Sequence, residues 1–295
     1  HVFNISYDDP LYAVDAQKRL TSLAIIGGVR NMVCSQNEVY RNQLKAFSDI
    51  SSGLICNAKA IELYLKENDV VDSKKVWTIN NGIDLTGRGE PSKILADKPK
   101  KVIFVGSLIA RKNPMCFIET AISLLDEGMN LRFLIVGDGV LRSKMRDRCI
   151  ESGYGDKIIF LGYLKTKEIP YSSASVLVST SFSEGNSNVI LEALSWGAPV
   201  VATEVGGAVE VLDNNTFGTL IETSRPSQVA QSMQKWLNCK ETRWGEANNF
   251  IETSRPKQVA EAIKSWVCCN DIEWQKASCE AKNHIAEQYS VVSMV

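Results

Sequence analysis

Histidine is nearly missing from this chain of 295 residues; it occurs only at His1 and His284. No Asp-x-Asp pair and no Cys-x-x-Cys pair occurs either. With these ligand types so scarce, no metal site is expected. No uninterrupted apolar run is long enough to span a bilayer, and no basic-then-apolar leader pattern opens the sequence. Charge of one sign is also lacking. The 33 Lys and Arg balance 34 Asp and Glu to a formal net charge of −1, which removes the global case for nucleic-acid binding.

Eight cysteines are present: Cys34, Cys56, Cys116, Cys149, Cys239, Cys268, Cys269 and Cys279. Several sit in apolar runs, and the chain is long enough to fold without staples. They read as reduced thiols of a cytoplasmic protein. The matches to Asn-x-Ser/Thr at Asn4 and Asn214 then read as chance. The composition, 44% apolar and 23% charged, is that of a globular protein with room for two domains.

From residue 100 onward, β-rich runs alternate with helical patterns. Strands are expected at Lys101–Val105, Leu131–Val136, Lys157–Leu161, Val176–Ser179, Pro199–Thr203 and Thr219–Ile221. Helices are expected at Pro114–Glu127 and Val140–Ser152. Such alternation predicts a parallel α/β sheet with helices on both faces, and ligands in such sheets bind at the carboxyl ends of strands. Upstream, Ile55–Glu67 reads as a strand end and a helix, and Val76–Ile79 as a strand. The stretch Arg88–Lys101, rich in Gly, Pro and Lys, reads as a linker. Gly137-Asp138-Gly139 lacks the rest of a nicotinamide-dinucleotide fingerprint, because Arg142 stands where the third glycine belongs.

The most telling segment is Ser183-Glu184-Gly185-Asn186-Ser187-Asn188-Val189-Ile190-Leu191-Glu192, followed by Ala193-Leu-Ser-Trp-Gly-Ala-Pro-Val-Val-Ala-Thr203. It reads as turn, helix, strand. A helix N-terminus offers unpaired N–H groups and partial positive charge, a natural seat for phosphate. Two carboxylates with seven residues between them flank that seat. Carboxylates repel phosphate but accept hydrogen bonds from sugar hydroxyls. Eight residues of helix span ~12 Å, so the two acids suit opposite ends of a nucleotide sugar. Asn188, Glu192 and Ser195 are expected to form one polar stripe, which would otherwise be the solvated side of an ordinary helix.

Glu184 to Glu192 resembles the Glu-x7-Glu motif of the retaining family-4 glycosyltransferases of the GT-B fold. Asn80-Asn81-Gly82-Ile83-Asp84, Gly106-Ser107-Leu108 with Arg111-Lys112, Val136-Gly137-Asp138-Gly139 and Val205-Gly206-Gly207 with Glu210 resemble further motifs of that family, in order. The resemblance covers roughly residues 50 to 225. It implies a GT-B-type Rossmann-like donor-binding domain at 97–295, and at 1–90 a partial acceptor-side α/β domain that lacks the family's opening strand and glycine-rich loop.

The resemblance also implies roles. Lys112, with Arg111, would stabilise charge on the leaving diphosphate. The family's arginine after Gly106 is replaced by Ser107, and its frequent Asp before the motif by Ser175. Glu184 would meet hydroxyls of the donor sugar and Glu192 those of the ribose. The turn Gly185, Asn186, Ser187 and the backbone N–H groups of Asn188, Val189 and Ile190 would face the donor, Gly185 by lacking a side chain. The implied reaction moves a hexosyl group from a UDP- or GDP-sugar to a lipid-linked or polysaccharide acceptor. Configuration is retained without metal or other cofactor, by a front-face route in which the leaving phosphate helps deprotonate the acceptor. Peripheral association with the inner membrane face goes with such an acceptor. Two alternatives stay open: a catalytically impaired nucleotide-sugar-binding module, and a sugar-nucleotide epimerase.

A tandem repeat closes the chain. Ile221-Glu-Thr-Ser-Arg-Pro226 recurs as Ile251-Glu-Thr-Ser-Arg-Pro256, with Trp236/Trp266 and Cys239/Cys269 in step. Two copies, 221–250 and 251–280, do not make a solenoid. A duplicated helical unit is expected.

Overall fold

The computed structural model describes residues 4–6, 26–30, 38–51, 53–84, 99–212, 218–222 and 229. The linker at 88–98 and nearly all of the repeat lie outside the described residues. The chain divides into two compact units: residues 1–81 with 183–187 and 205–210, and the remainder.

Among the described residues, the first unit is built on four parallel strands, β1 (Asn4–Ser6), β2 (Ile26–Val29), β3 (Gly53–Cys56) and β4 (Val76–Thr78), in that spatial order. Helix α1 (Glu38–Ile50) joins β2 to β3, and α2 (Lys59–Glu67) joins β3 to β4. Leu44 and Phe47 of α1 and Ile61 and Leu65 of α2 are buried against Val29, Leu54, Cys56 and Val76. Gly27 is bare because the Phe47 ring lies where its Cβ would be.

Among the described residues, the second unit carries six parallel strands: β5 (Lys100–Val105), β6 (Leu131–Val136), β7 (Ile158–Gly162), β8 (Val176–Ser179), β9 (Val200–Thr203) and β10 (Gly218–Ile221). Their spatial order is β10-β9-β8-β5-β6-β7. This is the doubly wound arrangement, in which chain order reverses between β5 and β8. Helices α3 (Pro114–Asp126), α4 (Arg142–Glu151) and α5 (Asn188–Ser195) follow β5, β6 and β8; the short α6 (Ala208–Val211) follows β9, and its residues 208–210 belong to the first unit. Pro114 opens α3, where its missing N–H costs nothing. Asn113 before it takes a left-handed turn at φ 46°, a conformation Asn tolerates better than most residues. Phe104, Phe117 and Phe133 form the heart of the core, with ring centroids 5.4 and 5.8 Å apart. Arg148 grips Glu119 with two hydrogen bonds of 2.7 and 2.9 Å, tying α4 to α3.

Most boundaries agree with expectation to within a residue or two. The clearest difference is α4, which starts at Arg142 rather than Val140, because Leu108 accepts a hydrogen bond from the Leu141 N–H and holds the preceding residues in a turn. Cys56, Cys116 and Cys149 are buried and form no disulfide. Burial pushes the Cys116 thiol up to about 12 and the Cys149 thiol up to about 11.

Candidate functional site

The point where chain order reverses, between β5 and β8, is where an open α/β sheet leaves a crevice at its carboxyl edge. Two turns interlock beside it. The Gly106 N–H donates to the Val136 carbonyl at 3.0 Å, and the Leu108 N–H to the Asp138 carbonyl at 2.9 Å. Gly137 sits at φ 129°, and a Cβ there would collide with the Gly106 carbonyl oxygen. A Cβ on Gly139 would collide with the Leu108 backbone. Neither glycine can therefore be replaced without parting the turns. Asp138 is exposed and bonded to Arg142; its carboxyl is held below the usual range first by the Gly139 N–H, then by Arg142.

Arg111 and Lys112 lie in the single turn Ala110–Lys112 that follows. The loop after β8 fixes that turn: the Phe182 N–H donates to the Arg111 carbonyl at 2.9 Å, and the Thr180 hydroxyl donates to the Asn113 carbonyl at 2.9 Å. The Lys112 stem passes Gly106, its Cδ 3.9 Å from where a Cβ would stand. The structure thus brings Gly106, Arg111 and Lys112 together at the reversal point. Ser175 is different. It is buried at the opposite end of β8, where it exchanges hydrogen bonds with the Lys101 backbone. Its place in the sheet explains why a residue there serves pairing rather than the carboxyl edge.

Helix α5 packs on β8 and β9. Asn188 is exposed at its start, and Val189 is half-buried. Ile190, Leu191, Ala193 and Leu194 are buried. Glu192 is half-buried, and the hydroxyl of fully buried Tyr171 donates to its Oε2 at 2.8 Å. The expected stripe is shorter than predicted: Ser195 is buried, and its hydroxyl turns back to the Glu192 carbonyl at 2.6 Å. A short hydroxyl near a helix end satisfies itself this way without facing solvent.

The remaining expected residues belong to the first unit. Glu184, Asn186 and Ser187 are buried there, 6%, 5% and 5% exposed. The Gly207 N–H donates to the Gly185 carbonyl at 2.8 Å, and Asn81 Nδ2 to the Asn186 carbonyl at 3.0 Å. Gly185 is bare for a reason other than the expected one. A Cβ there would meet the Arg30 carbonyl and Asn57 Oδ1, so the missing side chain admits protein atoms. Gly206, at φ 54°, likewise makes room for the Glu184 carbonyl. Both polar atoms of the Asn186 amide are buried without a hydrogen-bond partner among the described residues, as is Asn57 Oδ1.

Sequence reasoning passed over Tyr171 and Thr180. Tyr171 stands 21 residues before its partner, in a turn whose sequence carries no periodic signal. Thr180 extends β8 and reads as an ordinary strand residue. Among the described residues, no three His, Cys, Asp or Glu side chains converge as metal ligands.

A family model described as glycosyl transferases group 1 matches residues 90–257. An uncharacterized glycosyltransferase of Methanocaldococcus jannaschii is 32% identical over 144 residues, 48% of this chain and 37% of the relative. An alpha-1,4-N-acetyl-D-galactosaminyltransferase of Campylobacter jejuni, named for a PP-undecaprenol-linked glycan substrate, is 31% identical over 156 residues, 52% of this chain and 43% of the relative. The matched stretch is thus about two fifths of these relatives' length. Among solved structures, HepE of Anabaena with UDP and glucose superposes with a TM-score of 0.73 at 15% identity, over 98% of this chain and 73% of that one. TarM of S. aureus, in complex with fondaparinux, alpha-GlcNAc-glycerol and UDP, gives a TM-score of 0.68 at 18% identity, over 92% and 49%.

Proposed function

The chain belongs to the glycosyl transferases group 1 family and has the GT-B fold, and from that premise we propose that it is a retaining hexosyltransferase. Its donor is a UDP- or GDP-sugar, and its acceptor a lipid-linked or polysaccharide glycan. The observation that carries this reading is the pair of interlocked glycine turns at the sheet's reversal point, with Arg111 and Lys112 held in the same loop.

In this reading the diphosphate lies beside these turns at the carboxyl edge of the sheet, and two cations offset its charge. In this reading Lys112 and Arg111 stabilise the leaving diphosphate, helped by the N–H groups of Asn188, Val189 and Ile190. Glu192 accepts from the ribose hydroxyls. Glu184, with the turn Gly185, Asn186 and Ser187 before α5, accepts from the donor sugar. The loops that follow β6 and β7 carry the exposed apolar side chains of Val140 and Tyr163, and the Gly137 N–H joins the starts of these loops by a 2.7 Å bond to the Gly162 carbonyl. They suit the flat face of a base. The UDP in the HepE and TarM structures supports a nucleoside diphosphate. The undecaprenol-linked substrate named for the Campylobacter relative supports a lipid-linked acceptor, and with it peripheral membrane association.

The test is turnover. The chain is incubated with UDP- and GDP-hexoses in chelator, with and without an undecaprenyl-diphosphate glycan, and products are resolved by NMR. Acceptor-dependent transfer with an α-product from an α-donor is expected. Isomerised donor without acceptor, or binding without any turnover, would replace the reading by the epimerase or the impaired module.

A further inference from the structure

We infer that Tyr171 is a positioning residue for the Glu192 carboxylate, setting the direction in which Glu192 meets the ribose of the donor; the inference rests on the donor-site reading above. Tyr171 is 0% exposed, and its phenol cannot be buried cheaply without a hydrogen-bond partner. Its backbone is fixed by a tight turn: the Tyr171 N–H donates to the Ile169 carbonyl at 2.8 Å, and its carbonyl accepts from the Ala174 N–H at 3.0 Å. The turn that carries it, Tyr171–Ser173, lies against α5. The hydroxyl therefore has one place to be, and it donates to Glu192 Oε2 at 2.8 Å.

Glu192 is a flexible side chain on a rigid helix, and the Ser195 hydroxyl on the Glu192 carbonyl ties the backbone there as well. Glu192 itself is half-buried, whereas the tyrosine that donates to it is fully buried. A carboxylate accepts about four hydrogen bonds, and one rigid donor on one oxygen settles the rotamer without exhausting that capacity. A neutral amide oxygen could also accept from the phenol, though more weakly. The carboxylate is the choice that also binds a pair of vicinal hydroxyls, which carry two donors.

Calorimetry on the full chain tests this with UDP and 2′,3′-dideoxy-UDP, and with the guanosine pair. The unmodified chain should prefer the ribonucleotide by about tenfold or more, the factor a charged hydrogen bond carries. Tyr171→Phe should narrow that preference several-fold, by weakening UDP while leaving dideoxy-UDP unchanged. A merely structural role would weaken both equally or neither, and Tyr171→Phe with an unchanged ratio overturns the inference. No preference in the unmodified chain removes the ribose role of Glu192, and the inference with it. Should Tyr171→Phe lose its cooperative thermal transition, 3-fluorotyrosine at position 171 replaces it. Its ¹⁹F resonance should move with UDP and not with dideoxy-UDP; equal responses overturn the proposal.

Discussion

Glu210 caps the helix that begins at Lys59. One carboxylate oxygen accepts from the Lys59 N–H at 2.9 Å and the other from the Ala60 N–H at 2.7 Å. The residue at the local cap position is Ala58, whose methyl cannot do this. A carboxylate from far along the chain therefore satisfies two of the helix's orphan donors and faces the positive end of its dipole. Glu210→Ala should lower stability by about 1 kcal/mol, and Glu210→Gln by less, since one amide oxygen can still accept. An unchanged thermal midpoint for Glu210→Ala would refute the cap.

Glu62 gives the first unit an acid-sensitive anchor. It is 5% exposed, and its carboxylate accepts from Lys59 Nζ at 2.7 Å, Lys66 Nζ at 2.8 Å and the Thr78 hydroxyl. Burial alone pushes its pKa up; the three hydrogen bonds and the Lys59 charge outweigh it and bring the group from 4.5 down to about 2. A depressed pKa stabilises the fold above the unfolded value, and that stability is lost as pH falls from about 4.5 towards about 2. Glu62→Gln should be less stable at neutral pH and should lose less over that acid window. Parallel stability–pH curves for the two proteins would exclude the anchor.

Much of this was legible because parallel strands buried on both faces write themselves as β-branched runs. Val102-Ile-Phe-Val105 and Val176-Leu-Val178 are such runs, Leu131–Val136 is an apolar run interrupted by exposed Arg132, and each became a strand. The segment Glu184–Asn188 was legible from two carboxylates around a helix start, and the loop Gly106–Lys112 from its resemblance to a family motif at the end of a strand. What stayed hidden depends on partners distant in sequence. Local spacing cannot say that Glu210 reaches Lys59, that Tyr171 reaches Glu192, or that the bare face of Gly185 meets Arg30. Ser195 was misjudged because a helical stripe assigns direction to every polar side chain, while a short hydroxyl can turn back on its own helix.

Lys112 supplies the next prediction. Lys112→Ala should weaken UDP or GDP by about 1.5–3 kcal/mol, the range for a hydrogen bond to a charged group. Its side chain is only half-buried, so the thermal midpoint should hardly move. The loss should shrink as salt rises, because exposed charges are screened. Calorimetry in chelator at two ionic strengths measures both. Full affinity in the variant would remove Lys112 from the diphosphate.

The interlock of the two glycine turns is the most severe requirement in the second unit, and a pair of alanine substitutions isolates it. Gly128 and Gly137 both have φ values that disfavour a side chain, 77° and 129°. A Cβ on Gly128 meets nothing within 4 Å, whereas one on Gly137 collides with the Gly106 carbonyl. Gly128→Ala should therefore cost only the backbone term, about 1–2 kcal/mol. Gly137→Ala adds overpacking against main chain that has no rotamer to move, for a total of about 2–5 kcal/mol. The relief available to Gly137→Ala is to push Gly106 away, and Gly106 leads directly into the turn that carries Arg111 and Lys112. Measured well below its thermal midpoint, a folded Gly137→Ala protein should have lost most of its affinity for UDP or GDP, while Gly128→Ala keeps it. Equal affinity in the two variants would show that the interlocked turns are scaffold alone, and that the diphosphate sits elsewhere.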